Sequence, residues 1–148
     1  MTKILYAKDY VEKKSGDLIE RVKKLKSKPI ISIIRVGNDY GSLAYEKGIK
    51  KTAEKLGIEV DVKEFAKDSS QDEIIDAIKK LNDDESIGGI LVFRRLPENF
   101  DEEEISLALD PKKDVDCMHP LNMARVFGGD VSGFTPLAPK AAYELLKF

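Results

Sequence analysis

The seven residues Ile30-Ile31-Ser32-Ile33-Ile34-Arg35-Val36 constrain this chain more than any others. They are β-branched and apolar on both alternating faces. Such a run suits a strand of a parallel sheet covered on both sides. A break at Gly37-Asn38-Asp39 follows, and then Ser42 to Leu56, where Tyr45, Ile49, Ala53 and Leu56 recur at helical steps. Gly57 stands where a helix C-cap belongs. A second strand is read from Ile58 to Phe65, by alternation. Ser70 with Glu73 forms a capping box for a helix carrying Ile74, Ile75, Ile78 and Leu81, closed by Asn82-Asp83-Asp84. Gly88-Gly89 leads into a third buried strand, Ile90 to Phe93. Asp101 with Glu104, and Phe100 spaced to staple Ile105, start a short helix to Leu109.

Before the first strand, Asp9 to Lys26 has helical spacing weakened at Gly16, and Lys3 to Ala7 reads as a short strand. Asp110 to Gly133 is rich in Asp, Pro, Gly and Asn and reads as one long irregular segment, a kind that is usually functional. Pro136 and Pro139 open a last helix through Leu146. The alternation predicts an α/β fold: three αβα layers around a mostly parallel sheet of about four strands, with right-handed crossovers. Residues 1–148 read as a single domain, without repeats or low-complexity tracts.

Composition removes several function classes. Twenty-five basic residues against 27 acidic give no cationic footprint for nucleic acid. Single Cys117 and His119 exclude an internal disulfide and a cysteine- or histidine-cluster metal centre. No apolar run is long enough to span a membrane. The start, MTKILYAKDY, lacks the apolar core of a signal peptide, so the expected compartment is the cytoplasm.

Ligands of open α/β sheets bind outside the carboxyl ends of the strands. Three segments should meet there: Gly37 to Tyr45, Phe93 to Pro97, and the loop from Asp110. Tyr45 reads as a core residue or as a platform for a ligand. Arg94-Arg95, after a buried strand, read as an anion contact or as a strand end reaching water. Asp114 and Asp116 read as acceptors for a ligand's amino groups, or as a turn in which aspartate bonds its own backbone. Lys47, Lys50 and Lys51 read as a solvated face. Cys117 reads as a small buried apolar residue.

Taken in order, Arg35-Val36-Gly37 with Ser42-Leu43-Ala44-Tyr45, Gly89-Ile90-Leu91-Val92 leading to Leu96-Pro97, and Pro111-Lys112-Lys113-Asp114-Val115-Asp116 resemble a known family. It is the N-terminal catalytic domain of the bifunctional methylenetetrahydrofolate dehydrogenase/cyclohydrolases, FolD type. The resemblance implies that Tyr45 stacks on the folate ring system, that Ser42 accompanies it, and that Asp116 bonds the pterin. The family's catalytic lysine falls at Ile49 and its assisting glutamine at Phe93. This chain is similar to a branch that reads Tyr-Glu-Arg-Gly before a shifted lysine, and Val-Phe-Arg in the second motif. On that likeness Lys50 is the expected catalytic residue and Arg94 a substrate contact. The family's Asp-Val-Asp-Gly glycine is Cys117 here.

The resemblance further implies a tetrahydrofolate derivative as substrate and a homodimer as the complete enzyme. It implies NAD(P) in a Rossmann-type domain of that enzyme. This chain, which holds no glycine fingerprint, is expected to bind no cofactor itself. The alternative left open by Ile49 and Phe93 is a degenerate module that kept folate binding or subunit pairing.

Overall fold

The computed structural model describes residues 5–94 and 96–148. Helix α1 (Lys8–Lys23) runs through Gly16 unbroken. Leu5 to Ala7 carry no strand, and the rest of the expected first strand, Lys3 and Ile4, lies outside the described residues. Strand β1 (Ile30–Val36) follows, then α2 (Tyr40–Leu56) and β2 (Glu59–Phe65). Helix α3 (Gln71–Asp83) crosses to β3 (Ile87–Val92), and α4 (Glu102–Ala108), α5 (Pro120–Phe127) and α6 (Leu137–Lys147) complete the chain.

Among the described residues the sheet has three parallel strands in the order β2-β1-β3. β1 lies in the middle, and Ile33 and Ile34, which point to opposite faces, are both fully buried. Ile34, Val36, Ile90 and Val92 pack against Ile74, Ile75 and Ile78 of α3 and Ile105 of α4. Ile33, Leu91 and Phe93 pack on the other face, with Ile49 of α2 and with Val60, Val62 and Val115. Helices therefore cover both faces, as the apolar β1 requires.

A fourth segment begins beside β3. The Ile90 amide donates to the Lys113 carbonyl (2.7 Å) and the Val115 amide to the Ile90 carbonyl (3.3 Å), a parallel bridge that does not lengthen into a strand. Gly89 permits it, because a Cβ there would overlap Cγ1 of Val115.

The starts of α2 and α3 follow their capping residues. The Asp39 carboxylate accepts the Gly41 and Ser42 amides at 3.0 and 3.1 Å. Ser70 and Glu73 form the expected capping box. Gly57 ends α2 at φ 76°, a left-handed conformation that favours glycine.

The stretch from Asp110 to Gly133, expected to be irregular throughout, contains α5 instead. Pro120 occupies its first turn, where a missing N–H costs nothing, and Nδ1 of His119 accepts the Leu121 amide at 3.0 Å. The overlooked signal was His119-Pro120, a cap before an N-terminal proline. Helices α1 and α6 bury no residue fully. They meet at the periphery, where the rings of Tyr10 and Phe148 lie 5.5 Å apart and the Tyr10 hydroxyl donates to Glu144.

Candidate functional site

From β1 the chain goes to β2 on one side and returns, through α3, to β3 on the other. The strand order therefore reverses at β1, and a crevice opens at the carboxyl ends of β1 and β3. A cleft of about 300 Å³ lies there, lined by Gly41, Ser42, Tyr45, Leu91, Val92, Phe93, Arg94 and Asp116. Ser42, Tyr45, Arg94 and Asp116, named from three separate segments, are thus brought together. Arg95 lies outside the described residues.

Each wall has a local cause. Asp39 starts α2 and brings Ser42 and Tyr45, one turn apart, to the cleft. Tyr45 is 56% exposed, which excludes the core alternative for it. Its ring is 5.2 Å from that of Phe93, tilted by 36°. Phe93 donates its amide to the Ile34 carbonyl and is itself buried, so the end of β3 is a fixed support. Arg94, the next residue, is exposed at the cleft.

Asp116 is carried by a polar clamp. Asp114, 1% exposed, accepts the amides of Met118 and His119 and Nδ2 of Asn122, each at 2.9 Å. The two aspartates therefore divide the alternatives open in the sequence: Asp114 bonds its own turn, and Asp116 faces the cleft. Cys117 turns the chain at φ 57°, a left-handed conformation uncommon for a non-glycine residue. Burial, and then the nearby Asp114 carboxylate, push its thiol pKa up.

Lys50 does not line the cleft. Its Nζ donates to Oε1 of Glu46 at 2.6 Å, and Nε of Arg35 donates to Oε2 at 2.8 Å. Arg35 also bonds the Gly37 carbonyl and pairs with Glu64 at 3.1 Å. Ile49 stays on the sheet among Ile33, Leu91 and Phe93, so Lys50 has not moved into its place. Burial alone would raise the Glu46 pKa. Hydrogen bonds from Lys50 and then Arg35 outweigh burial and hold the carboxyl below its ordinary range. The Glu46 bond holds the Arg35 guanidinium above its ordinary value against the cost of burial. Sequence reasoning passed over this pair. Its signal was an arginine within an apolar strand and a glutamate on the inner arc of α2.

Among the described residues no group of three or more His, Cys, Asp or Glu side chains is arranged to hold a metal ion. No helix among them is long and apolar enough to cross a membrane.

Comparisons with known proteins place the chain in a family. Residues 5–116 match the model of the tetrahydrofolate dehydrogenase/cyclohydrolase catalytic domain. The chain is 43% identical to the bifunctional protein FolD of Alkaliphilus metalliredigens, over 100% of this chain and 53% of that protein. The structure resembles the bifunctional FolD methylenetetrahydrofolate dehydrogenase/cyclohydrolase of Campylobacter jejuni, with a TM-score of 0.90 and 33% identity over 95% of this chain and 51% of that one. It also resembles a 5,10-methylenetetrahydrofolate dehydrogenase of the silkworm, Bombyx mori, with a TM-score of 0.92 and 28% identity over 99% of this chain and 52% of that one. The chain spans about half the length of the curated relatives it matches. It belongs to the tetrahydrofolate dehydrogenase/cyclohydrolase family, and the part of that family it matches is the catalytic domain.

Proposed function

We propose that this chain is the folate-binding catalytic domain of a methylenetetrahydrofolate dehydrogenase/methenyltetrahydrofolate cyclohydrolase acting in one-carbon metabolism. The observation that supports this best is the convergence of Tyr45, Ser42, Arg94 and Asp116 on one cleft at the strand ends. The half-exposed Tyr45 ring offers a face to a flat heterocycle. The Asp116 carboxylate suits the paired donors of an amino-pyrimidinone edge, and Arg94 an anionic part of the substrate. Ser42 adds a hydroxyl beside the ring.

The chain's own residues do not fit a nicotinamide dinucleotide. The β1–α2 turn lacks a glycine fingerprint, and the Asp39 carboxylate already takes the Gly41 and Ser42 amides that a pyrophosphate would use. Binding of NAD(P) is assigned to the rest of a complete enzyme, which we read as a cytoplasmic homodimer. Hydrolysis of a methenyl group needs water and a positioned acid or base. Lys50 is our candidate, and its ammonium must leave Glu46 to act in the cleft.

That pairing, with Ile49 packed on the sheet, favours a second reading: a module that binds folate without hydrolysing it. The absorbance of 5,10-methenyltetrahydrofolate mixed with the purified chain separates the two. Turnover that Lys50→Ala abolishes supports the catalytic reading and Lys50 within it. Turnover unchanged by Lys50→Ala removes Lys50 from the mechanism. Binding without turnover favours the second reading, and no binding at all sinks both.

A further inference from the structure

The fully buried positions of α2 are Ser42, Glu46 and Ala53, none of them a large apolar side chain. Ile49 packs on the sheet but is only partly buried. A helix with so little apolar bulk on its inner arc is poorly held against turning about its own axis. Glu46 supplies what apolar packing does not. Its Oε2 is tied at 2.8 Å to Nε of Arg35, which is 4% exposed and itself fixed by the Gly37 carbonyl and by Glu64. A buried ion pair is weak evidence for stability, because desolvation offsets much of the attraction, but such pairs can select one arrangement among several.

We propose that Arg35 and Glu46 are positioning residues that fix the rotational setting of α2 and thereby hold the Tyr45 ring against Phe93 at the cleft. Glu46 follows Tyr45 by about 100° around the helix, and Lys50 lies about 40° beyond Glu46. Ile49 lies between Tyr45 and Glu46 on the same arc, about 60° short of Glu46. Turning α2 far enough to bring Lys50 over the site of Ile49 would carry Tyr45 away from Phe93, whose ring is 5.2 Å off. The pair therefore keeps Tyr45 facing the cleft, and Lys50 is a second grip on the same carboxylate, at 2.6 Å. The consequence for ligand binding rests on the folate reading above; the setting of the helix does not.

The test uses the whole chain and two readouts. One is the set of nuclear Overhauser contacts between the Tyr45 and Phe93 rings. The other is the dissociation constant for 5,10-methenyltetrahydrofolate. Arg35→Met with Glu46→Met removes both charges at similar volume, an exchange that buried pairs commonly tolerate. The expected result is a folded protein whose ring-to-ring contacts are lost and whose dissociation constant rises by about five- to tenfold. Should that variant not fold, Glu46→Asp, one methylene shorter, is expected to weaken the ring contacts and raise the constant several-fold. Unchanged ring contacts in either folded variant overturn the proposal, as does their absence from the wild-type protein. Failure of the wild-type chain to bind the folate would sink the folate reading alone, and the ring contacts would still decide on the pair.

Discussion

Glu46 carries its charge inside the molecule, which ties stability to acid. Its carboxyl is held below the ordinary glutamate range near 4.5 by hydrogen bonds from Lys50 and Arg35 that outweigh burial. A carboxyl depressed in the folded state contributes stability that is fully present above its unfolded value and is lost as pH falls through its folded one. The melting-temperature gap between wild type and Glu46→Gln should be widest above about pH 6 and should close as the pH drops below about 4. Melting curves from pH 7 to pH 3 check this; a gap independent of pH would refute it. Tyr45 contrasts with this buried charge. It is 56% exposed, so Tyr45→Leu should change stability by no more than about 0.5 kcal/mol. Loss of ring stacking should nevertheless weaken binding of methenyltetrahydrofolate by about five- to tenfold, read by isothermal titration. Cys117 holds φ 57° while fully buried. A β-branched residue tolerates that conformation badly, and Cys117→Val should cost about 2 kcal/mol in urea denaturation.

At the scale of the element, the loop that carries Asp116 is seated by what Gly89 lacks. Gly89→Ala would drive a methyl group into Val115, and overpacking of this kind costs about 1–3 kcal/mol. The loss should appear in denaturation and in folate affinity together, because Asp116 follows Val115. Adding Val115→Ala should restore most of both; failure of this rescue would mean that the loop is seated by other contacts. The letters Gly88-Gly89 do not carry which glycine a distant valine covers, since that contact joins residues 26 apart in the chain. Caps, by contrast, were legible. Ser70 with Glu73, and Gly57, act through neighbours within a few residues, so their effect is local and the letters carry it. Asp101 accepts the Glu103 and Glu104 amides, but the expected box with Glu104 does not close, because the distant Gln71 side chain accepts the Asp101 amide and donates to the Glu104 carboxylate. α5 was missed for the opposite reason. Its cap is a histidine, outside the usual capping residues, and its one fully buried residue is the polar Asn122. The candidate site was legible in part. Tyr45, Ser42, Arg94 and Asp116 were named through motif order, whereas the partner of Lys50 depends on Arg35 arriving from another element.

Across the whole molecule, stability should be graded from the sheet outward. β1 is covered on both faces, while α1 and α6 bury no residue fully and meet each other at the edge. Amide exchange should therefore be fastest in α1 and α6 and slowest in β1, with the two helices opening well below the global unfolding free energy. Equal protection of α1 and β1 would contradict that gradient. Alternating helix and strand signals sufficed to read the layers, because a strand apolar on both faces leaves few other architectures. The loop beside β3 has one more consequence. Among the described residues the outer side of β2 is open, but that strand carries Glu59, Asp61, Lys63 and Glu64, charges that discourage another chain from pairing there. β3 is Ile87-Gly88-Gly89-Ile90-Leu91-Val92, with no charge at all. Its outer side is shielded at Ile90 by the hydrogen bonds to Lys113 and Val115. A variant that loosens this loop would therefore displace Asp116 from the cleft and also bare an uncharged strand edge, so loss of folate affinity and loss of solubility should arrive together.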